Sequence, residues 1–413
     1  MILIKNATIV DSKSPFNGKN VDILIEKGKI KSIKKNIKPE KKHQVITHKN
    51  LHVSPGWMDM RANFRDPGFE YKEHIETGIK AARKGGFTEV VLTPETEPCI
   101  DSKADIEYII NKAKNFGIRI YPMGTISKGM QGKSLAEMYD MKQAGAVGFS
   151  DSKKPISADL MMKALYYVKN FDGLILRHAS NASTNGDGIM HEGENSTRLG
   201  MNGMPALSED LEVTRDLELL EYTESKLHLS LVTSRKALDK IKAAKKSKLH
   251  VTADISPLYL YFTDDVLKEY DTNFKLYPPL RTADHQKAII KALKEGTIDV
   301  ICSDHEPEDT ENKRLEFEYA AFGAAGIETL FATTWTALHK HLKLEQVIDK
   351  ITHNPRNILQ LEDFSIQENS AANLTLFNPD ETWTPQQDDF ESLGVNQPMI
   401  GEKLRGVVYE VVC

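Results

Sequence analysis

Apolar residues at the start of the chain fall in or near a period of two. Ile2, Ile4, Ala7 and Val10 follow it, the spacing of a half-buried β-strand. A second run, Val21-Asp22-Ile23-Leu24-Ile25, leads through Glu26-Lys27-Gly28, a tight-turn sequence, into Ile30-Lys31-Ser32-Ile33. Residues 34–42 are basic without aromatic interleaving and read as a solvated loop. From Pro55 the pattern changes. Short apolar runs at 56–60, 89–92, 118–121, 146–149, 173–176, 227–231, 250–253 and 298–301 alternate with segments of helical period. Residues 74–84 form one such helix, stopped by Gly85-Gly86, and residues 208–224 another, opened by Ser208 as a capping residue. Strand–helix units repeated eight times predict a parallel barrel. After a helix over 327–341 and a short helical stretch near Val347, strands return at 372–377 and 407–412. Neither chain end alone can bury a core, so the two are expected to pair. The expected architecture is α/β: a (β/α)8 TIM barrel over 55–364, with a small β-sandwich domain formed by 1–54 and 365–413.

Length fits this reading. The chain has 413 residues, enough for a barrel of roughly 250 residues and a satellite domain. Its 40% hydrophobic and 27% charged content are ordinary for a globular protein, and a net charge of -5 argues against nucleic acid as the main partner. Cys99, Cys302 and Cys413 are scattered, which suggests neither a thiolate zinc site nor a disulfide framework. No signal-peptide layout opens the chain, and no apolar run approaches the ~20 residues that span a bilayer. The cytoplasm is the expected location, with no membrane partner.

In such a barrel the chemistry lies at the C-terminal ends of the strands. The residues there are Arg61 to Gly68 after the first run, Ser150-Asp151 after the fourth, Arg177-His178 after the fifth, Val232-Thr233-Ser234 after the sixth and Cys302 to Glu308 after the eighth. Two other motifs carry no chemistry. His339-Lys340-His341 falls in a helix, where positions i and i+2 face apart, and Gly132-Lys133-Ser134 lacks the upstream glycine of a phosphate loop.

Several stretches together carry a family resemblance. They are Pro55-Gly56-Trp57-Met58-Asp59-Met60, Phe64-Arg65-Asp66-Pro67-Gly68, Gly85-Gly86-Phe87-Thr88 and Gly145-Ala146-Val147-Gly148-Phe149-Ser150-Asp151. Further along come His191-Glu192-Gly193-Glu194-Asn195-Ser196, Pro278-Pro279-Leu280-Arg281, Asp304-His305-Glu306-Pro307 and Phe322-Gly323-Ala324-Ala325-Gly326-Ile327-Glu328-Thr329. In this order they resemble a dihydroorotase of the bacterial multifunctional-complex type, in the amidohydrolase superfamily. The resemblance implies zinc held by a His-x-His pair on strand one, an Asp after strand four, His residues after strands five and six, and an Asp after strand eight. That last Asp doubles as general acid/base, and the metal activates water.

Asp151, His178 and Asp304 match that set; Arg61, Asn63 and Leu231 stand at the lost positions. A guanidinium has no lone pair to give, and Leu ligates nothing. Asn63 offers an oxygen, but zinc prefers imidazole, thiolate or carboxylate. No metal is therefore expected, and Asp304 is a remnant acid/base. Asp151, His178 and Asp304 are expected as scaffold remnants, the carboxylates forming an ion-pair network with Arg61 in the space vacated by metal. His191 reads as a simple loop residue.

The implied substrate pocket has changed too. Arg65 matches the family's carboxylate-binding Arg, but the Asn and His beside it are Glu95 and Glu308, and the Asn before Pro-Pro-Leu-Arg is Tyr277. Two carboxylates facing a third repel it; Arg65 is expected to pair with Glu95 or Glu308 instead. The expected function is a dihydroorotase-like protein without effective catalysis. The resemblance implies a structural or regulatory role beside aspartate transcarbamoylase, and a homodimer. One alternative is an active cyclic amidohydrolase with a reduced zinc site; another is a binding protein for a cationic or neutral ligand, suggested by Glu95 and Glu308.

Overall fold

The computed structural model describes residues 1–413. All eight barrel strands are present, in the expected order. They are Trp57–Ala62, Phe87–Leu92, Arg119–Pro122, an extended segment at Phe149, Ile175–His178, Leu227–Ser230, Val251–Ile255 and Val300–Ile301. The first three pair in parallel, as do the last four. Bridges from Phe149 to Gly124 and to Ile175 join these two sheets on one side, and the bridge from Ala62 to His305 closes them on the other. The interior is one large apolar cluster built from both faces of these strands and the inward faces of the helices.

Both chain ends meet in one seven-stranded sheet, in the order Leu404–Val412, Leu374–Trp383, His52–Pro55, Ile2–Ile9, Asn20–Glu26, Lys29–Lys34, with Gln44–Ile46 on the free length of Ile2–Ile9. Its own core gathers Ile4, Ile9, Ile23, Ile25, Val53, Leu374 and Leu376. The sheet is fastened to the base of the barrel. Trp57, fully buried, packs against Phe87, Phe331 and Phe377. Gly86 sits at φ 94°, and a side chain there would meet the Trp57 ring at 2.7 Å, so this turn requires glycine. Arg356 donates to Glu89 at 2.7 Å and to the Gly56 carbonyl at 2.6 Å. His353 bonds Asp11 at 3.0 Å and Asp363 at 2.7 Å, tying barrel, N-terminal strand and linker at one point.

Several boundaries differ from the sequence reading. The helix expected from Ser208 spans Ala206–Thr223 with Pro205 ahead of it. Ser208 lies inside the first turn and exchanges hydrogen bonds with the Asn181 backbone rather than capping. The helix expected over 327–341 is shorter, Leu330–Leu338, with His339 as its C-cap. The fourth strand is short and centred on Phe149, but backbone bonds from Val147 to Pro122, from Ser150 to Gly124 and from Phe149 to Leu174 still tie it to both neighbours. No helix is long and apolar enough to cross a membrane.

Candidate functional site

The mouth of the barrel is organised by its first and eighth strands. The Asp59 carboxylate accepts from the Ser303 amide at 2.9 Å, from the Ser303 hydroxyl and from the Arg61 amide at 3.2 Å. Burial pushes Asp59 up to about 7, against those donors. This clasp fixes where the two strands end and so where Arg61 and Asp304 stand.

Arg61 is 2% exposed and fills the centre of the mouth. Its Nε donates to Asp304 Oδ1 at 2.8 Å and its Nη2 to Ser152 Oγ at 3.2 Å. One guanidinium from strand one thus joins residues after strands four and eight. Burial works against its charge, but Asp304, Glu95, Glu306 and Asp254 together hold it above its ordinary value. Asp304 is raised to about 6 by burial and by neighbouring Glu306, with Arg61 and Lys153 pulling the other way. Lys153 forms a second ion pair with Glu306 across the mouth. Despite burial, that ammonium and the guanidinia of Arg65 and Arg61 keep Glu306 below its usual range.

A third pair lies further out. Arg65 Nη2 donates to Glu308 Oε1 at 2.9 Å, and Lys72 Nζ lies 2.7 Å from Glu308 Oε2. Of the two partners expected for Arg65, the structure selects Glu308. This corrects the picture of Glu308 as a bare repelling charge: two cations compensate it, and Arg65 is thereby engaged. Asn63 accepts from the Arg65 amide at 2.8 Å and donates to the Glu95 carbonyl at 3.2 Å, so it serves the loops. The half-buried Glu95 carboxylate acts on Arg61 and Lys153 through space.

The remaining positions do not converge. Asp151 faces away from the mouth, accepting from the Ile126 amide at 2.8 Å, the Ser127 amide at 3.0 Å and the Ser127 hydroxyl. Contrary to the expectation of a shared network, it is Ser152, not Asp151, that meets Arg61. His178 is 2% exposed and lies against Tyr277, ring centroids 5.2 Å apart, with neither nitrogen hydrogen-bonded. Burial first, then Arg61, Lys153 and Arg177, hold it well below its ordinary value, so the imidazole is neutral. It belongs to no ion pair. The Tyr277 hydroxyl bonds Ser180 at 2.6 Å and Asn185 at 3.0 Å. Leu231 is buried at φ 53°, its amide donating to Asp254 at 2.6 Å, while Asp254 also bonds His228 at 2.9 Å.

The donors therefore do not fit a zinc ion. Nowhere do three His, Cys, Asp or Glu side chains gather to share one, and a guanidinium stands among the remnant ligand positions. Ser152, Lys153, Glu306 and Lys72 were not singled out from sequence. The signal available was a Ser-Lys-Lys run directly after the Gly-Phe-Ser-Asp stretch, and an acidic residue two places past Asp304. His191 is no simple loop residue. It is 6% exposed in a short parallel ladder, Met190–His191 against Gly203–Met204, and bonds Arg281 at 3.1 Å. Burial, then Arg281 and His285, push it down to about 3. Arg281 in turn meets Glu209 at 3.4 Å and Thr233 at 3.1 Å, so two of the recognised motifs form a buried brace beside the mouth.

The closed parallel barrel with a sheet made from both chain ends defines the cyclic-amidohydrolase fold. It superposes on L-hydantoinase (dihydropyrimidinase) from Arthrobacter aurescens with a TM-score of 0.87 at 21% identity, covering 100% of this chain and 94% of that one. Dihydropyrimidinase from Brevibacillus agri gives a TM-score of 0.84 at 20% identity, covering 99% and 93%. Sequence narrows the class. A family profile described as Dihydro-orotase-like matches residues 51–237. Dihydroorotase of Geobacter metallireducens is 39% identical over 408 residues, 98% of this chain and 96% of that one. Dihydroorotase of Acetivibrio thermocellus is 40% identical over 412 residues, 99% and 96%. The chain belongs to the dihydroorotase family.

Proposed function

We propose that this dihydroorotase-like protein of pyrimidine biosynthesis operates without a resident zinc ion, with hydrolysis impaired or lost, as a structural or regulatory partner of aspartate transcarbamoylase. The observation that carries the first part is the position of Arg61: buried, bonded to Asp304 and Ser152, and standing where the family's first His ligand is expected. A fixed positive charge there opposes a divalent cation by Coulomb repulsion, and it occupies the carboxylate that would otherwise move protons. The engagement of Arg65 by Glu308 supports the same reading, since it removes the cation expected to hold a substrate carboxylate. The role beside aspartate transcarbamoylase rests on the family resemblance.

The deciding experiment measures zinc per chain in protein purified without added metal, and then hydrolysis of dihydroorotate to carbamoyl aspartate. Less than a tenth of an equivalent of zinc and no turnover are expected. Stoichiometric zinc with turnover overturns the proposal. Co-sedimentation with aspartate transcarbamoylase of the same organism tests the partnership. A second reading, an active cyclic amidohydrolase with a reduced metal site, is favoured by one observation. Burial and Glu306 raise Asp304 to about 6, in the range that suits a general acid/base near neutral pH. The same assay separates the two.

A further inference from the structure

We propose that the lysine-rich end of the seven-stranded sheet is a docking surface for an anionic lipid bilayer. Residues 27–42 contain eight lysines, no arginine and one acidic residue, Glu40. That segment carries +7, so the rest of a chain of net charge -5 carries -12. All eight lysines are exposed. Lys31 pairs with Glu26 and Lys42 with Glu40 at 2.8 Å, which leaves Lys27, Lys29, Lys34, Lys35, Lys38 and Lys41 without an ion-pair partner.

The fold gathers these charges. Ile2 stands opposite Ile25, and Ile25 opposite Ile30, so the turn at Lys27 lies level with the start of the first strand. Gln44 stands opposite Ile2 on its other side, which brings Lys41 and Lys42 to the same end of the sheet. Lys31, then Lys27 and Lys42, hold the Glu26 carboxyl below its ordinary value; Lys42, then His43 and Lys31, do the same to Glu40. Each carboxylate thus feels lysines from both segments, and the lysines act as one field. Lysines on a free edge strand guard it against pairing with another chain, but this edge is already covered. The Ile30 amide donates to the Ser370 carbonyl at 2.9 Å, and the Asn369 amide to the Ile30 carbonyl at 2.7 Å.

The composition of the patch names the occupant. The centre of a protein–protein interface is rich in arginine and aromatics and poor in lysine. Nucleic-acid recognition adds aromatic stacking or bidentate arginine. Residues 27–45 contain neither residue class. Hydrated ammonium groups on long stems suit a fluid array of lipid phosphates instead. Two large apolar side chains also stand in solvent beside the lysines: Val45 is 44% exposed and Met1 40%. The Gln44 amide donates to the Met1 carbonyl at 3.0 Å, which sets the two close together. They can enter the acyl boundary of a bilayer, whereas a phosphodiester backbone offers them nothing. The acidic remainder of the chain turns the patch toward the membrane and is screened from it beyond about 8 Å. The expectation of no membrane partner rested on spanning segments, and peripheral attachment needs none.

Co-sedimentation of the full chain with vesicles tests it. Binding is expected to phosphatidylcholine vesicles containing about a third phosphatidylglycerol, and not to phosphatidylcholine alone. It is expected to fall steeply as salt shortens the Debye length. Lys34→Gln, Lys35→Gln, Lys38→Gln and Lys41→Gln together are expected to weaken it more than tenfold, since each lysine near the surface is worth about fivefold. The same charge removed elsewhere, by Lys236→Gln, Lys246→Gln, Lys248→Gln and Lys294→Gln at exposed positions, is expected to change little. Val45→Ser is expected to weaken binding several-fold with its salt dependence unchanged. In the unmodified protein, amide exchange over 34–46 is expected to slow when anionic vesicles are added, a readout that depends on no variant folding. No binding to anionic vesicles, equal binding to neutral ones, or exchange that ignores the vesicles overturns the proposal. So does binding that survives loss of the four patch lysines or falls equally in the control, and so does tighter binding to mixed-sequence duplex DNA than to the vesicles.

Discussion

Arg61 and Asp304 come from opposite ends of the barrel sequence, and their side chains meet at 2.8 Å in the centre of its mouth. The guanidinium side chain is 2% exposed and the carboxylate 11%. Such a pair is not a large source of net stability, since both charges have left water; its weight shows when one partner is removed and the other is stranded.

Arg61→Met is therefore expected to destabilise the fold by about 3–5 kcal/mol, and Asp304→Asn by a similar amount, whereas the double variant loses clearly less than their sum. Urea denaturation of the four proteins checks this. Additive losses would show that the two residues do not form a coupled pair.

Restoring the family's imidazoles tests the mouth from the other side. Arg61→His, Asn63→His and Leu231→His together are expected to recover zinc binding, measured as metal per chain after dialysis, but little dihydroorotate hydrolysis. Glu308 still holds Arg65 at 2.9 Å, Glu95 still faces the mouth, and Asp151 is still turned toward Ser127 and Ile126. Turnover comparable to active family members from these three changes alone would refute the account of the pocket.

The clamp at His353 makes stability depend on pH. Against the effect of burial, Asp11 and Asp363 raise His353 to about 9. A pKa raised on folding contributes stability that is complete below the unfolded value of about 6.5. That contribution is lost as pH climbs through 9. Asp363 is held down to about 2, mainly by His353 and Lys13 acting against burial. Its contribution is complete above about 3.9, its unfolded value, and fades as pH falls toward 2. Denaturation midpoints are expected to fall between pH 6.5 and 9.5, and His353→Gln is expected to flatten that slope. A slope unchanged in the variant would assign it elsewhere.

Asn396 is a keystone for the loop after the eighth strand. Its Nδ2 donates to the Glu306 carbonyl at 2.8 Å and the Gly323 carbonyl at 2.9 Å, and its Oδ1 accepts from the Glu308 amide at 2.9 Å. Asn396→Ala leaves the Glu306 carbonyl and the Glu308 amide without partners, while the Gly323 carbonyl keeps Lys313 at 3.0 Å; the cost is about 1–3 kcal/mol for each group that water cannot reach. Amide exchange at Glu308 is expected to quicken well beyond the global change in stability. Protection equal to that of the unmodified protein would remove Asn396 from this role.

The local pattern of the chain already contained most of the fold. Alternation at Ile2 and Ile4, eight short apolar runs and the helix stop at Gly85-Gly86 are nearest-neighbour facts, and burial of apolar surface acts on them wherever the chain goes. The losses at Arg61, Asn63 and Leu231 were equally legible, because they are properties of single side chains. What the chain alone did not determine was the company each charge keeps. Asp151 turns to Ser127, Ser152 takes its place beside Arg61, Lys153 crosses to Glu306, and Glu308 collects both Arg65 and Lys72. These choices depend on distances across the barrel between residues up to 243 positions apart in the chain, as for Arg61 and Asp304. Ion pairing falls off with separation in space and is blind to separation in sequence, so only the closed barrel could assign the partners.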